Sequence, residues 1–140
     1  MKKDFAIYWI AFKILLQKGN KLLFLIDSDQ HFLDLPGGRA DNNEGKVPLL
    51  KILQREIREE LGKMVKYRIG EPIFQYRRYN KRKKIYNLIT VYKGKYISGP
   101  IKLSFEHDSY QWLDPKKYKF KREEFHTQEE YQAHVEYFNK

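Results

Sequence analysis

The sequence predicts a single α+β (α/β) domain over residues 1–140, with one helix inserted between two groups of β-strands. Strand-like runs alternate with turns on both sides of residues 48–62, and helical periodicity is confined to that stretch and the C-terminal end. A length of 140 residues suits one domain with a real core. Hydrophobic residues make up 41% and aromatic residues 16%, which excludes extensive disorder.

The N-terminal third predicts a two-stranded hairpin followed by a loop. Residues 5–16 are rich in β-branched and aromatic residues, and the run LLFLID from Leu22 has the same character. Between them, Lys18-Gly19-Asn20-Lys21 is typical of a tight turn. The stretch DSDQHFLDLPGG, residues 27–38, is rich in turn residues and predicts a loop.

The central helix is bounded by residues that favour helix ends. Pro48 suits the first turn of a helix, and Gly62 suits the position after the last turn. The apolar residues between them recur at helical spacing and predict the face that packs on the core: Leu49, Leu50, Leu53, Ile57 and Leu61.

Three further strands are predicted after this helix. The runs 73–79 and 85–92 are strand-like and are joined by the basic turn NKRKK. Gly94 and Gly99-Pro100 are expected to interrupt the segment that follows. The run SYQWL, from Ser109, then predicts one more strand.

The C-terminal end predicts a second helix. Thr127 and Glu130 have the spacing of a capping box, which marks a helix start. The predicted apolar stripe of this helix consists of Tyr131, Val135 and Phe138. We also expect Trp9 and Trp112 to lie in the core.

Composition restricts the chemistry. The chain has no cysteine, which excludes disulfides, thiolate metal sites and a cysteine nucleophile. Lys and Arg number 28 against 18 Asp and Glu, a net charge of +10. This charge favours polyanionic partners such as nucleotides, RNA or acidic membrane surfaces, and a general need for solubility explains it equally well.

The N-terminal stretch only briefly resembles a secretion signal. Asp4 and Lys13 interrupt its pattern of charge and apolar residues, and no small-residue cleavage site follows. No segment has the eighteen or more uninterrupted apolar residues of a membrane span. We therefore expect a cytoplasmic protein with no membrane partner.

Three glutamates are crowded into one turn of the central helix. Glu56, Glu59 and Glu60 share a face whose edge enters the apolar side, whereas Arg55 and Arg58 are predicted to point the other way. Partly buried carboxylates at this spacing cannot all ionise cheaply. Their pKa values rise, basic partners compensate, or a divalent cation such as Mg²⁺ or Mn²⁺ lies among them. On the helix alone, a solvated acidic face with Arg55–Glu59 pairs explains the pattern at least as well.

The wider sequence around this helix favours the metal hypothesis. Gly38 is followed by five residues and Glu44, and residues 55–62 read Arg-Glu-Ile-Arg-Glu-Glu-Leu-Gly after the earlier Leu35-Pro36-Gly37. This stretch resembles the Nudix hydrolase signature, which is Gly, five residues, Glu, seven residues, then Arg-Glu-hydrophobic-x-Glu-Glu-x-Gly-hydrophobic.

The sequence departs from that signature at two places. Ten residues lie between Glu44 and Arg55, where the signature has seven. A three-residue insertion in the loop before the helix is the simplest account, and it predicts that Glu44 sits on a looser segment and matters less than Glu56 or Glu59. Lys63 also replaces the final hydrophobic residue.

The resemblance implies a fold, a reaction and a set of site residues. It implies an α/β/α sandwich with a mixed sheet, and Mg²⁺- or Mn²⁺-dependent hydrolysis of a diphosphate linkage in a nucleoside diphosphate derivative. Glu59 and Glu60 would be metal ligands, and Glu56 a third ligand or a base. The backbone carbonyl of Gly37 or Gly38 would join them, and Arg55 would orient a glutamate by an ion pair.

Residues outside the signature complete the predicted site. Glu106, in SFEHDSYQWLD, resembles a further catalytic glutamate of the family, although the segment also reads as an ordinary polar turn. His107 alone is more typical of a loop histidine. In YRRYNKRKKIY, Arg77 and Tyr79 would share one face of a strand and could hold a phosphate and stack on a base. An exposed hairpin with charged edges explains that segment more simply.

Three functions remain open at this point. The first is a metal-dependent hydrolase of small nucleotides. The second keeps the chemistry but acts on the 5′ phosphates or cap of RNA, as the net charge would allow. The third is a Nudix-fold module that binds nucleotides without catalysis, against which the intact glutamate set argues. The oligomeric state is also open, with a homodimer as one possibility.

Overall fold

The computed structural model describes residues 3–140. Two α-helices, α1 (Leu49–Leu61) and α2 (Gln128–Phe138), accompany one β-sheet, and two short 3₁₀-helices span Asn42–Glu44 and Arg122–Glu124. The seven strands are β1 (Tyr8–Lys18), β2 (Lys21–Asp27), β3 (Leu33–Asp34), β4 (Gly37–Arg39), β5 (Lys66–Asn80), β6 (Ile85–Ser98) and β7 (His107–Leu113). No helix within residues 3–140 combines the length and apolar character needed to span a bilayer.

Strand β1 is the centre of a mixed sheet. It runs parallel to β6 along almost its whole length and antiparallel to two strands, β4 at Ala11–Lys13 and β2 at the hairpin end. Strand β2 continues antiparallel to β3 and β7, and β5 is antiparallel to β6 at the edge of the sheet. This arrangement brings the glycine strand β4 beside the middle of the sheet.

The two faces of the sheet are covered by different helices, because alternate residues of each strand point to opposite sides. On one face α1 packs, and that core consists of Phe12, Ile14, Leu16, Leu23, Leu25, Ile52, Leu53, Ile57, Leu61, Val65 and Tyr92. On the other face α2 packs, and that core consists of Ala11, Leu15, Leu22, Phe24, Leu33, Leu35, Tyr76, Ile89, Val91, Phe120 and Phe125. The fold is therefore the α/β/α sandwich with a mixed sheet that the sequence predicted.

Several strands differ in extent from those that the sequence predicted. Strand β1 begins at Tyr8, and the side chains of Phe5 and Ile7 are 79% exposed. The predicted loop 27–38 contains β3 and the start of β4, since short strands leave little periodicity to detect. Gly94 lies inside β6 and does not interrupt it. A Cβ at this position would overlap the buried side chain of Ile14, which accounts for the glycine. Gly99, with φ of 99°, follows the end of that strand as expected.

The helix ends are confirmed, but the buried faces are shifted. Pro48 directly precedes α1, and Gly62, with φ of 88°, follows its last residue. Leu49 and Leu50 are 52% and 44% exposed in the first turn, whereas Ile52, which the pattern left out, is fully buried. The predicted core face was therefore wrong at its N-terminal end.

Helix α2 begins as the capping box predicted, with the hydroxyl oxygen of Thr127 accepting from the backbone N–H of Glu130. Its buried residues are Glu130 and His134, whereas Val135 is only half-buried. Trp112 packs against the core under α1 as expected. Trp9 does not lie in the core; its ring is half-buried under the guanidinium of Arg39 at 4.8 Å.

Candidate active site

A cavity of about 970 Å³ lies beside β4, where α1 meets the segment before β7. Its walls combine residues that are far apart in the sequence: Ala11, Lys13, Asp27, Asp34, Gly37, Gly38, Arg39, Asp41, Glu56, Glu59, Glu60, Arg78, Tyr79, Asn80, Asn87, Ile89, Ser104, Phe105, Glu106 and His107. All three clustered glutamates, Glu106 and both signature glycines therefore border one space.

The α1 wall contains two buried carboxylates and one exposed carboxylate. Glu56 and Glu60 are 9% and 8% exposed, whereas 60% of the Glu59 side chain is exposed. The backbone of Gly38 lies directly against the Glu56 carboxylate, so that a Cβ at this position would overlap the carboxylate oxygens. Glycine lets the chain approach the acid closely, and any side chain here would displace the Glu56 carboxylate from its position in the cavity.

Burial raises the pKa of Glu56, and the neighbouring charges of Glu59 and Glu60 raise it further, while Arg55 opposes them. One arginine therefore does not fully compensate this cluster. An additional cation would favour the ionised form of Glu56, and the oxygen-rich wall offers the type of ligand that Mg²⁺ and Mn²⁺ prefer.

Arg55 connects the carboxylates of the signature. Its Nη1 lies 2.9 Å from Glu56 Oε1 and 3.1 Å from Glu59 Oε2. Its Nε and Nη2 donate to the two carboxylate oxygens of Glu44 at 2.8 and 2.6 Å. The expectation that Arg55 points away from the glutamates is therefore wrong, because its long side chain folds back along the helix to reach them.

Glu44 lies at this cluster in spite of the insertion. The 3₁₀-helix Asn42–Glu44 turns the chain back, and Glu44 Oε1 also accepts from the backbone N–H of Asp41 at 2.6 Å. Only 10% of its side chain is exposed. The predicted loose, distant Glu44 is therefore wrong; residues 45–48 absorb the extra length before α1 begins.

Glu106 and His107 approach Glu60 from the opposite side of the cavity. One ligand atom from each of Glu60, Glu106 and His107 lies within 4.8 Å of the others. His107 is 9% exposed, and its Nδ1 lies 3.1 Å from Glu60 Oε2. Burial lowers the pKa of His107, but Asp34 and Glu60 outweigh burial and raise it to about 9. His107 is therefore a buried, charge-paired residue and not the loop histidine that the sequence suggested.

The donor set fits a divalent cation. Glu60 and Glu106 converge with His107, Glu56 lies on the next turn of α1, and Gly38 presents backbone against it. Carboxylates and carbonyls at this spacing are hard oxygen ligands. Ser104 Oγ donates to Glu60 Oε2 at 3.1 Å, which fixes the orientation of that carboxylate.

The wall opposite α1 is formed by a buried ion network that the sequence analysis missed. Asp34 Oδ1 lies 3.0 Å from Lys13 Nζ and 3.4 Å from Arg78 Nη2. Burial raises the pKa of Asp34, but Lys13 and Arg78 outweigh it and hold that pKa well below its usual range. A lysine inside the apolar run of β1 was the one local signal for this network, since an unpaired buried lysine is costly.

The two predicted substrate-binding residues have different positions. Tyr79 is 43% exposed at the edge of the cavity and packs on Tyr86 with ring centroids 4.8 Å apart. Arg77 shares that face of β5, as expected, but it does not border the cavity, and its Nη2 is 3.0 Å from Glu129 Oε1 on α2. Its role in substrate binding stays a prediction.

Comparisons with known proteins identify solved structures of the same fold, but they match neither a family model nor a curated protein. Among solved structures, a MutT protein from Methanosarcina mazei Go1 superposes with a TM-score of 0.70 at 23% identity, covering 96% of this chain and 92% of that one. A Nudix hydrolase from Nitrosomonas europaea gives 0.73 at 16% identity, covering 95% and 89%.

An ADP-ribose pyrophosphatase from Streptococcus suis 89-1591 superposes with a TM-score of 0.62 at 12% identity, covering 94% of this chain and 90% of that one. These structures share the architecture over nearly the full chain. The chain therefore has the fold of the Nudix hydrolases.

Proposed function

We propose that this protein is a Nudix hydrolase that cleaves a diphosphate linkage in a nucleoside diphosphate derivative with the help of Mg²⁺ or Mn²⁺. The observation that carries the proposal is the convergence of Glu56 and Glu60 with Glu106 in one cavity against the Gly38 backbone. Arg55 does not fully compensate the buried carboxylate of Glu56, and a carboxylate perturbed in this way in a cleft supports a functional site.

In this proposal, Glu60, Glu106 and Glu56 hold the cation with the backbone carbonyl of Gly37 or Gly38, and Glu59 adds a carboxylate at the exposed rim. A bound divalent cation neutralises diphosphate charge and lowers the pKa of a coordinated water. A carboxylate of this set accepts the proton of the attacking water. The chain's own contribution is thus to place the carboxylate oxygens that would hold the cation beside the diphosphate.

Arg55 and Tyr79 have supporting roles. Arg55 orients Glu56 and Glu59 through Nη1 while Glu44 fixes its other edge. Tyr79, at the mouth of the cavity, offers an aromatic surface on which a base can stack. The S. suis neighbour is a pyrophosphatase of ADP-ribose, a nucleoside diphosphate joined to a second group, which supports this class of substrate.

The test is a panel of nucleoside diphosphate derivatives incubated with Mg²⁺ or Mn²⁺, with products identified by mass. We expect cleavage of the diphosphate linkage, to give a nucleoside monophosphate and a phosphorylated leaving group, and complete loss of turnover in excess EDTA. Full turnover in chelator would contradict the metal-dependent mechanism. Nucleotide binding without any hydrolysis across the panel would favour the non-catalytic module.

One observation favours a second substrate, the 5′ end of RNA. The exposed basic turn Lys81–Lys84 directly follows Tyr79 and Asn80, which border the cavity. Lysines at the mouth of a cavity can contact phosphates beyond the one that is cleaved. Turnover of 5′-triphosphorylated RNA in place of free nucleotides would establish this alternative.

A further inference from the structure

A buried ion pair connects the C-terminal helix to the cavity. Glu130, on α2, is 1% exposed, and its Oε1 accepts from Nε and Nη2 of Arg78 at 3.0 and 2.8 Å. Arg78 borders the same cavity as the carboxylates of α1. The pair therefore links a helix that has no residue in the cavity to the wall opposite the proposed metal ligands.

Arg78 is held at one edge by two carboxylates. Its Nε and Nη2 are occupied by Glu130, and Nη2 also donates to Asp34 Oδ1 at 3.4 Å. Its Nη1 is not among the atoms paired with Glu130 or Asp34, the buried Tyr76 hydroxyl interacts with the same guanidinium, and 21% of the Arg78 side chain is exposed. A guanidinium fixed in this way presents two N–H donors in a defined direction.

The other cations of the described cavity wall are held differently. Lys13 and His107 both pair with Asp34. The guanidinium of Arg39 lies over an aromatic ring on an exposed part of the chain, a contact that does not fix the direction of its donors. Arg78 is the guanidinium of this wall that a buried carboxylate holds in a fixed direction.

Stability alone does not explain why this pair is buried. A buried ion pair often contributes no more than well-packed apolar residues of similar volume, since both charges lose their hydration. The next residue on each element, Arg77 and Glu129, makes the same type of pair at the surface, where 49% and 44% of the side chains are exposed. The surface pair already joins β5 to α2, so the buried pair calls for a second role.

We propose that Arg78 binds a phosphate oxygen of the substrate through Nη1, and that Glu130 is the positioning residue that holds its guanidinium towards the cavity. The inference rests on the proposed function in taking the substrate to be a diphosphate. It also replaces Arg77 by Arg78 as the arginine that contacts phosphate. A cation here is needed because the opposite wall is lined with carboxylates that repel a polyanion.

The test measures the dissociation constant of inorganic pyrophosphate by calorimetry with Mg²⁺ present, in the wild type and five variants. Arg78→Lys keeps the charge but loses the fork of donors, and we expect roughly 10-fold or more weaker binding, the effect of one lost hydrogen bond to a charged group. Arg68→Lys, an exposed arginine on the same strand, is the matched control and should bind as the wild type does. Arg77→Lys tests the competing arginine and should also leave binding unchanged.

The positioning role is tested by Glu130→Gln, with Glu129→Gln on the same helix as its control. Glutamine keeps an oxygen that accepts from Arg78, so binding should fall by less than in Arg78→Lys, with KM raised and kcat near the wild-type value on a nucleotide substrate. Circular dichroism and thermal unfolding confirm that each variant is folded. A loss of kcat with unchanged KM would overturn the positioning role.

The outcomes separate this inference from the proposed function. If Arg78→Lys binds pyrophosphate within about twofold of the wild type, or if Arg77→Lys loses as much affinity, the inference is wrong even when the enzyme hydrolyses nucleotides. If Arg78→Lys loses affinity while no nucleotide is hydrolysed by the wild type, the inference stands and the proposed reaction fails.

Discussion

The two helices of this protein each carry buried glutamates, but in opposite electrostatic settings. On α1, Glu56 borders an open cavity, and its pKa is raised by burial and by neighbouring carboxylates. On α2, burial also raises the pKa of Glu130, but the hydrogen bond with His126 and the charge of Arg78 outweigh burial and lower it. A glutamate is thus destabilised as an anion on one face of the sheet, whereas a more deeply buried glutamate is stabilised as an anion on the other.

This difference distinguishes the carboxylates of the proposed metal site on α1 from the buried ion pair on α2 that supports it. Carboxylates that lack full compensation are poised to bind a cation or a proton, whereas a carboxylate that is matched to an arginine holds the structure in one arrangement. The cavity lies between the two sets. Breaking the Arg78–Glu130 pair should therefore lower stability as well as substrate binding, whereas changing a carboxylate on the α1 face should act mainly on activity.

The largest effect on stability is expected for Arg78→Met. The substitution leaves Glu130 buried without its arginine, while Asp34 keeps Lys13, so the free energy of unfolding should fall by about 3–5 kcal/mol. Denaturant unfolding followed by circular dichroism measures it. Arg77→Met, at the exposed pair, should unfold as the wild type does, and adding Glu130→Leu to Arg78→Met should recover part of the loss. Equal destabilisation by both arginine variants would contradict the comparison.

Glu60→Gln should have the largest effect on activity. The amide oxygen can still accept from Ser104 and His107, so we expect the fold to survive, but the charge that binds the cation is lost. We expect kcat to fall roughly 100-fold or more, as for loss of an essential catalytic group. Steady-state kinetics on the best nucleotide measures this, with exposed Glu71→Gln as the control. Near-normal turnover would show that Glu60 is not a ligand.

Glu44→Ala should have an intermediate effect on activity. The carboxylate touches Arg55 and not the cavity carboxylates directly, so its removal frees the arginine that orients Glu56 and Glu59. Loss of a residue that supports metal ligands typically costs about 10–100-fold, less than we expect for Glu60→Gln. The comparison is made on kcat and on the Mg²⁺ concentration for half-maximal rate. Wild-type values for both would restore the sequence-based expectation that this segment is loose.

A pH titration sharpens the contrast between the two helices. Because the pKa of Glu130 is lower in the folded state than its ordinary 4.5, its ionised form stabilises the fold above that pH, and the stabilisation is lost as the pH falls through the lowered value. The difference in unfolding temperature between wild type and Glu130→Gln should therefore be largest at neutral pH and shrink on acidification below 4.5. A pH-independent difference would indicate a packing effect instead.

The smallest effect on small nucleotides is expected from neutralising the basic turn. Replacing Lys81, Arg82, Lys83 and Lys84 by glutamine should leave nucleotide turnover near the wild-type level, because these residues are exposed outside the cavity. An enzyme that tracks RNA would instead bind it more weakly, with the salt dependence falling by roughly one unit per lost phosphate contact. Gel-shift or fluorescence titration over a range of salt concentrations distinguishes these cases.

Much of the fold could be predicted because its signals are local. Pro48 and Gly62 bracket α1, Thr127 caps α2, and the turn after Lys18 joins β1 to β2. The features that the sequence predicted wrongly have physical causes. Gly94 was expected to break a strand, but it lies within β6 where the neighbouring side chain of Ile14 leaves no room for a Cβ.

The candidate site could be predicted in part, since the glutamates of α1 lie close together in the sequence and their spacing on a helix fixes which face they share. Glu44 was placed wrongly because loop length does not determine where a loop returns. The 3₁₀-helix Asn42–Glu44 turns the chain, and its Glu44 carboxylate accepts from Arg55 on α1.

By itself the sequence determined the order of the five longer strands and both α-helices, the face of α1 that carries the carboxylates, and the need for a counter-charge among them. Periodicity and turn chemistry decide these features within a few residues of chain. The tertiary structure alone decided that His107 would meet Glu60 across 47 positions, and that Arg78 would be paired with Glu130 across 52. Contacts at such separations depend on how strands pair and helices pack, and one residue of register decides whether an arginine faces the cavity or the solvent.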